Sequence, residues 1–117
     1  MIKGIGLDIA EIPRIKKAME RSEKFQNRIL SERELELFHQ LSEQRKVEFL
    51  AGRFAAKEAY SKANGTGIGK GCEFRQIEVL KDELGKPTLF FDGKKVSGHV
   101  SITHTKEYAA AQIILMQ

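Results

Sequence analysis

At 117 residues the chain suits one domain with a real core and leaves little room for a second. Its 41% hydrophobic and 31% charged residues describe a folded chain, and 20 Lys plus Arg against 16 Asp plus Glu leave +4, too mild for a nucleic-acid coat. The single cysteine, Cys72, excludes an internal disulfide or a multi-cysteine zinc site, and no apolar run or signal-peptide pattern points to a membrane or to export, so a small cytoplasmic enzyme or binding domain over residues 1–117 is expected.

In chain order, residues 2–9 alternate as a strand. Ile5, Leu7 and Ile9 fall on one face and Gly4, Gly6 and Asp8 on the other, a face with no bulk near its carboxylate, which another element can approach closely. Pro13 opens a helix expected to reach about Leu30. Ser31 and Glu34 form a capping-box pattern for a second helix carrying Leu35, Phe38 and Leu41. A third, alanine-rich helix is expected from Gln44 to Ala63, central and mostly buried, with Gly52 marking a close contact. The second half predicts strands over 74–80, 88–91, 99–104 and 108–115, with turns at Leu84-Gly85-Lys86-Pro87 and Asp92-Gly93. One strand, three helices and then antiparallel strands make an α+β pattern.

Glu58 falls near the apolar stripe of the third helix that holds Val47, Ala51 and Phe54. A carboxylate there must be paired or bind a cation. Lys62, one turn on, is one partner. Asp8 is the alternative, since two carboxylates from distant elements suit magnesium, which fills its other positions with water and phosphate oxygens. The stretch Lys62-Ala63-Asn64-Gly65-Thr66-Gly67-Ile68-Gly69-Lys70-Gly71 follows the helix end. Gly65 suits the helix cap, and the loop amides with Lys62 suit a phosphate chain, although the spacing is not that of a Walker loop. Thr103 and His104 close the strand over 99–104.

Arg14, Ala18, Arg21, Phe25 and Arg28 follow one another at spacings of four, three, four and three, which places them on one line of a continuous helix. Residues 11–28 hold six basic and three acidic side chains, most of the chain's excess charge. This line is a solvated face or a docking surface for an acidic partner, with Phe25 as its apolar anchor.

Together these residues resemble the holo-[acyl-carrier-protein] synthases of the short bacterial type. The resemblance rests on Gly6-Leu7-Asp8-Ile9-Ala10-Glu11-Ile12-Pro13-Arg14, on Phe54-Ala55-Ala56-Lys57-Glu58-Ala59-Tyr60-Ser61-Lys62-Ala63 followed by Gly65-Thr66-Gly67, on Asp82-Glu83-Leu84-Gly85-Lys86-Pro87 and on Val100-Ser101-Ile102-Thr103-His104. It covers nearly the whole chain. Asn64 and Thr103 depart from a leucine and a serine common in the family, beside the site rather than on its metal ligands.

The resemblance implies transfer of the 4′-phosphopantetheine arm of coenzyme A to a serine of an acyl carrier protein, with release of adenosine 3′,5′-bisphosphate. It implies that Asp8 and Glu58 hold Mg2+ against the pyrophosphate and that Lys62 offsets charge on the leaving oxygen. It places Gly65, Thr66 and Gly67 along the pantetheine path, and Gly85, Lys86, Pro87 and His104 at the nucleotide end. Arg53 and Arg45 are the candidates for the 3′-phosphate. A homotrimer with sites between subunits is also implied; fatty-acid synthesis is the expected setting, with polyketide synthesis left open. The nucleophile then belongs to the carrier, so Cys72 is free to be inert. Glu58, directly or through a water on the metal, is the candidate base. Carrier proteins of this kind are acidic, which suits the arginine line. Two rivals remain: a nucleic-acid-binding module, against which stand 8% aromatic residues and no tryptophan, and a magnesium-dependent phosphohydrolase.

Overall fold

The computed structural model describes all of residues 1–117. Strand β1 (Ile2–Glu11) leads into helices α1 (Ile12–Arg21), α2 (Glu23–Ile29), α3 (Glu32–His39) and α4 (Glu43–Asn64). Strands β2 (Ile77–Lys81), β3 (Pro87–Phe91), β4 (Lys94–Lys95), β5 (Gly98–His104) and β6 (Tyr108–Met116) follow. The expected α+β class holds, with the strands divided between two antiparallel sheets in the orders β1-β6-β5 and β2-β3-β4.

Helix α4 lies across the first sheet, and the glycine face of β1 explains how closely. A Cβ on Gly6 would stand 1.8 Å from the Ala59 carbonyl oxygen, and one on Gly4 2.2 Å from that of Ala63. The bulk missing from that face is therefore filled by helix backbone. Ala51, Ala55, Ala56 and Ala59 of α4 are fully buried against Ala109, Ala111 and Ile113 of β6, so small side chains on both layers let helix and sheet approach. Gly52 fits the same pattern, since its Cβ would stand 3.1 Å from the Ile102 side chain.

Three expectations need correction. The single helix from Pro13 to Leu30 is two helices, because Ser22 is extended (φ −164°, ψ 139°) and its hydroxyl accepts from the Lys24 amide to cap α2. The first part of the strand over 74–80 is instead a 3-10 turn at Phe74–Gln76, where Glu73 and Gln76 bond reciprocally and the buried Phe74 ring stacks on Phe54. Leu41 lies beyond α3, which stops at His39. The capping box is present as read: Ser31 Oγ accepts from the Glu34 amide, and Glu34 returns the bond to the Ser31 amide.

The outer face of the first sheet is uncovered. Ile5, Leu7 and Ile9 are 57%, 62% and 64% exposed, and Tyr108 is also exposed. Ile5 pairs with Ile114 and Ile9 with Ala110, while Leu7 pairs with the exposed Gln112, so this face is apolar along β1 and mixed beyond it.

Candidate active site

The close contact between β1 and α4 assembles the first part of the site. Asp8 is the first residue of β1 after Gly6 that carries a side chain on the helix-facing side, and it meets Lys62, whose ammonium donates to Asp8 Oδ1 at 2.9 Å and to the Leu7 carbonyl at 3.2 Å. The pairing of Lys62 with Glu58 considered from sequence gives way to this one. Bonding to Asp8 raises the proton affinity of Lys62, so it stays charged. Glu58 is half-buried. Burial, and then the negative charge of Asp8, lift its carboxyl above the usual carboxylate range, while Lys62 opposes the shift.

Two carboxylates with one ammonium leave a net negative, oxygen-rich pocket. No group of three or more His, Cys, Asp or Glu that could hold a metal occurs in the chain. Asp8 and Glu58 offer two carboxylates, a donor set that suits a hard cation taking one or two protein oxygens and filling its other positions with water or phosphate oxygens, as magnesium does.

Behind Lys62, Gly65 ends α4 in the left-handed conformation (φ 84°), as expected of the cap. The amides of Thr66 and Gly67 both turn back to the Ser61 carbonyl, at 3.1 and 3.2 Å. The Gly65-Thr66-Gly67 loop is thus an exposed, bonded turn directly after Lys62.

The second part of the site is a cavity of about 830 Å³ between α3, the first half of α4, the β2–β3 hairpin and the end of β5. Arg45, Arg53, Pro87 and His104, all named from sequence, line it. Arg45 is exposed, and His104 Nε2 lies 3.8 Å from the Glu48 carboxylate. Arg53 is buried: it lies over the Phe49 ring at 4.0 Å and donates to the Val79 carbonyl at 3.2 Å, while its Nε has no partner. Burial lowers its proton affinity from the usual arginine value, with the charge of Glu34 opposing. Gly85 and Lys86 stand outside the cavity in an exposed turn organised by Asp82, which accepts from the Lys86 amide at 2.9 Å.

The two parts adjoin across the sheet. Asp8 pairs with Ala111, and Ala111 with Ile102, whose side chain borders the cavity beside Gly52. Of the expected site residues, Asp8, Glu58 and Lys62 form the first group, and Arg45, Arg53, Pro87 and His104 line the cavity of the second, two strands away.

The arginine line does not survive as one line. Arg14 and Arg21 are exposed on α1, Arg14 within 3.3 Å of Glu11. Beyond the break at Ser22, Phe25 turns inward, with its ring 6.3 Å from that of Phe54, and the Arg28 guanidinium lies 5.9 Å over Phe74. The basic surface persists, and Phe25 is partly buried, packed against the core beside Phe54.

Residue-by-residue reading missed the buried ion network behind α4. Lys57 and Glu34 are both fully buried and paired with each other. Glu78 takes hydrogen bonds from Ser31 Oγ at 2.7 Å and from Arg33 Nη2 at 2.8 Å. Lys57 lies inside the signature around Glu58, and a lysine amid buried alanines was the available signal.

Comparison with known proteins agrees with this geometry. Residues 4–113 match the family profile described as the 4′-phosphopantetheinyl transferase superfamily. The chain belongs to that superfamily. Within it, the chain is 59% identical over 116 residues to the holo-[acyl-carrier-protein] synthase of Staphylococcus carnosus, covering 98% of this chain and 97% of that one. It is 56% identical over 116 residues to that of Bacillus subtilis, covering 98% and 96%. Among solved structures it superposes on a Bacillus anthracis holo-(acyl-carrier-protein) synthase in complex with CoA (3′,5′-ADP) at a TM-score of 0.88, 51% identity and coverage of 98% and 96%. The synthase of Neisseria meningitidis gives a TM-score of 0.89 at 36% identity with full coverage of both chains. The fold is that of the holo-[acyl-carrier-protein] synthases.

Proposed function

We infer that the protein is a holo-[acyl-carrier-protein] synthase, a single phosphopantetheinyl transferase domain over residues 1–117. It moves the 4′-phosphopantetheine group of coenzyme A onto a serine hydroxyl of apo acyl carrier protein. The serine oxygen forms a new bond to the phosphorus on the pantetheine side of the pyrophosphate. The bridging P–O bond breaks, and adenosine 3′,5′-bisphosphate leaves. Family membership supports the reaction, and one observation carries its placement: the glycine face of β1 brings Asp8 against Glu58 and Lys62 of α4.

Such a transfer needs neutralised oxygens and an in-line nucleophile more than covalent catalysis by the enzyme. Magnesium held by Asp8 and Glu58 would neutralise the pyrophosphate oxygens. The Lys62 ammonium, held at the same place by Asp8 and the Leu7 carbonyl, is aimed to offset charge on the leaving oxygen. Glu58 takes the serine proton as general base, on the same reading. The cavity receives the nucleotide end, with Pro87 and His104 on its walls and Arg45 and Arg53 toward the 3′-phosphate, Arg45 being the freer of the two. The exposed Gly65-Thr66-Gly67 turn and the Gly85-Lys86 turn flank the path of the substrate.

Arg14 and Arg21 of α1 and Arg28 of α2 form the docking surface for the acidic carrier, and the chain works in the cytoplasm as a homotrimer with sites between subunits. The uncovered apolar sheet face of Ile5, Leu7, Ile9 and Tyr108 is the support for a subunit contact. No helix is long and apolar enough to cross a membrane. Release of adenosine 3′,5′-bisphosphate from coenzyme A, followed chromatographically, tests the reaction class. It is expected only when apo carrier and magnesium are both present. Release of free phosphopantetheine without an acceptor would make the protein a phosphohydrolase instead.

A further inference from the structure

Lys57 precedes Glu58 on α4, about 100° around the helix from it, and points into the layer beneath α2 and α3. It is fully buried, and its ammonium donates to the Ile29 carbonyl at 2.7 Å and to the Glu34 carboxylate. Nothing in the transfer mechanism uses it. A buried ion pair is costly to keep, and apolar side chains of similar volume commonly replace such a pair without loss of stability, whereas removing one partner leaves the other charge buried and unpaired. Directional bonds are what this lysine offers that an apolar side chain does not.

The bonds separate cleanly. Glu34 has partners besides Lys57: it accepts from the Ser31 amide at 2.9 Å and from the Val79 amide at 2.9 Å. Arg53 independently holds the Val79 carbonyl. The capping box of α3 and the attachment of β2 beside the cavity thus stand without Lys57. Lys57 supplies two things that no other group does: the only ion-pair partner of the buried Glu34, and a bond to Ile29, the last residue of α2, whose carbonyl is one of those a helix end leaves open. Helix α2 has only seven residues, follows the break at Ser22 and carries Arg28. A helix so short has little stability of its own, and its apolar contacts fix its depth better than its position along the groove. A directional bond from the helix that bears Glu58 supplies the missing restraint.

We propose that Lys57 is a positioning residue for the carrier protein, setting the end of α2, and with it the basic docking face, at a fixed offset from Glu58. The inference rests on the reading of α1 and α2 as the docking surface. Removing the Lys57 ammonium leaves the Glu34 and Arg53 bonds to Val79 of β2 in place and frees the end of α2, while the Glu34 charge it leaves unpaired lowers stability. The effect is therefore specific to one of the two substrates.

The test is steady-state kinetics on the full chain, with apo carrier and coenzyme A varied separately, for Lys57→Met, Arg21→Glu and Leu50→Ala. Leu50 is fully buried on α4, is not among the residues that line the cavity, and serves as a control for lost stability. Lys57→Met is expected to raise the KM for carrier about tenfold and to change the KM for coenzyme A by less than about twofold. Leu50→Ala lowers the melting temperature and moves neither KM. If Arg21→Glu raises the carrier KM while Lys57→Met leaves both unchanged, Lys57 is structural only and the inference is overturned. An Arg21→Glu enzyme with an unchanged carrier KM would instead remove the docking reading, and the inference with it. Should Lys57→Met fail to fold, Lys57→Met with Glu34→Gln removes both charges and keeps an amide oxygen at position 34 for the Ser31 or Val79 amide. The carrier KM is expected to rise in that variant as well, and an unchanged value overturns the inference.

Discussion

Gly6 sets how near α4 can come to the sheet, and through that distance it decides whether Asp8 reaches Lys62. Its missing Cβ would sit inside the Ala59 carbonyl oxygen, a backbone atom that cannot rotate away. Gly6→Ala is therefore expected to cost about 1–3 kcal/mol of stability by overpacking, read as a lowered melting temperature. The carboxylates beside it behave differently. Asp8 is partly open to solvent and Glu58 half-buried, so neither is part of the 23-residue apolar core. Asp8→Ala and Glu58→Ala are each expected to lower kcat by a hundredfold or more, on the order expected for loss of a principal charge-stabilising group. Circular dichroism of both variants is expected to match the parent. Full activity in either variant would remove the metal-holding role.

At the scale of elements, the β2 strand shows how charge rather than ladder pairing attaches one layer to another. Its Glu78 is bonded first by Arg33 and also by Ser31, which hold its carboxyl below the usual carboxylate range against the opposing effect of burial. A folded-state value below the unfolded one means stability that is present above the unfolded value of about 4.3 and is lost as pH falls through the folded one. The melting temperature of Glu78→Gln is thus expected to lie below the parent's near neutral pH, with the gap closing below about pH 4. A gap that stays constant with pH would contradict the pairing.

The same scale separates what was legible in the sequence from what was not. The alternation of β1, the Ser31–Glu34 box, α4 and the Asp8, Glu58, Lys62 set were legible because each follows a local period or a short motif. The break at Ser22 was not, since periodicity carries an arginine line straight through a serine that equally well caps a new helix. The turn at Phe74–Gln76 escaped for a similar reason: β-prone residues are held there by tertiary stacking on Phe54. Lys57 carried a weak signal in its alanine neighbours, but its partners, the Ile29 carbonyl and Glu34, lie on other helices and are set by tertiary packing.

At the scale of the whole molecule, the first sheet is finished on one side only. The centre of the helix-facing side of β1-β6-β5 is buried under α4, whereas Ile5, Leu7, Ile9 and Tyr108 face outward without cover. Light scattering is expected to give three times the chain mass. Leu7→Glu, which places a charge on that face, is expected to yield monomer with activity reduced at least in proportion to the lost trimer. A monomeric parent enzyme would contradict the subunit arrangement. The small size of the chain fits the same picture, since 117 residues must serve both coenzyme A and a protein substrate.

Intact-mass measurement of a verified apo acyl carrier protein, incubated with this enzyme, coenzyme A and magnesium, tests the central claim most directly. The carrier is expected to gain the mass of one phosphopantetheine in the presence of the parent enzyme and to remain unchanged with Glu58→Ala. A carrier whose mass never changes with the parent enzyme would contradict the account.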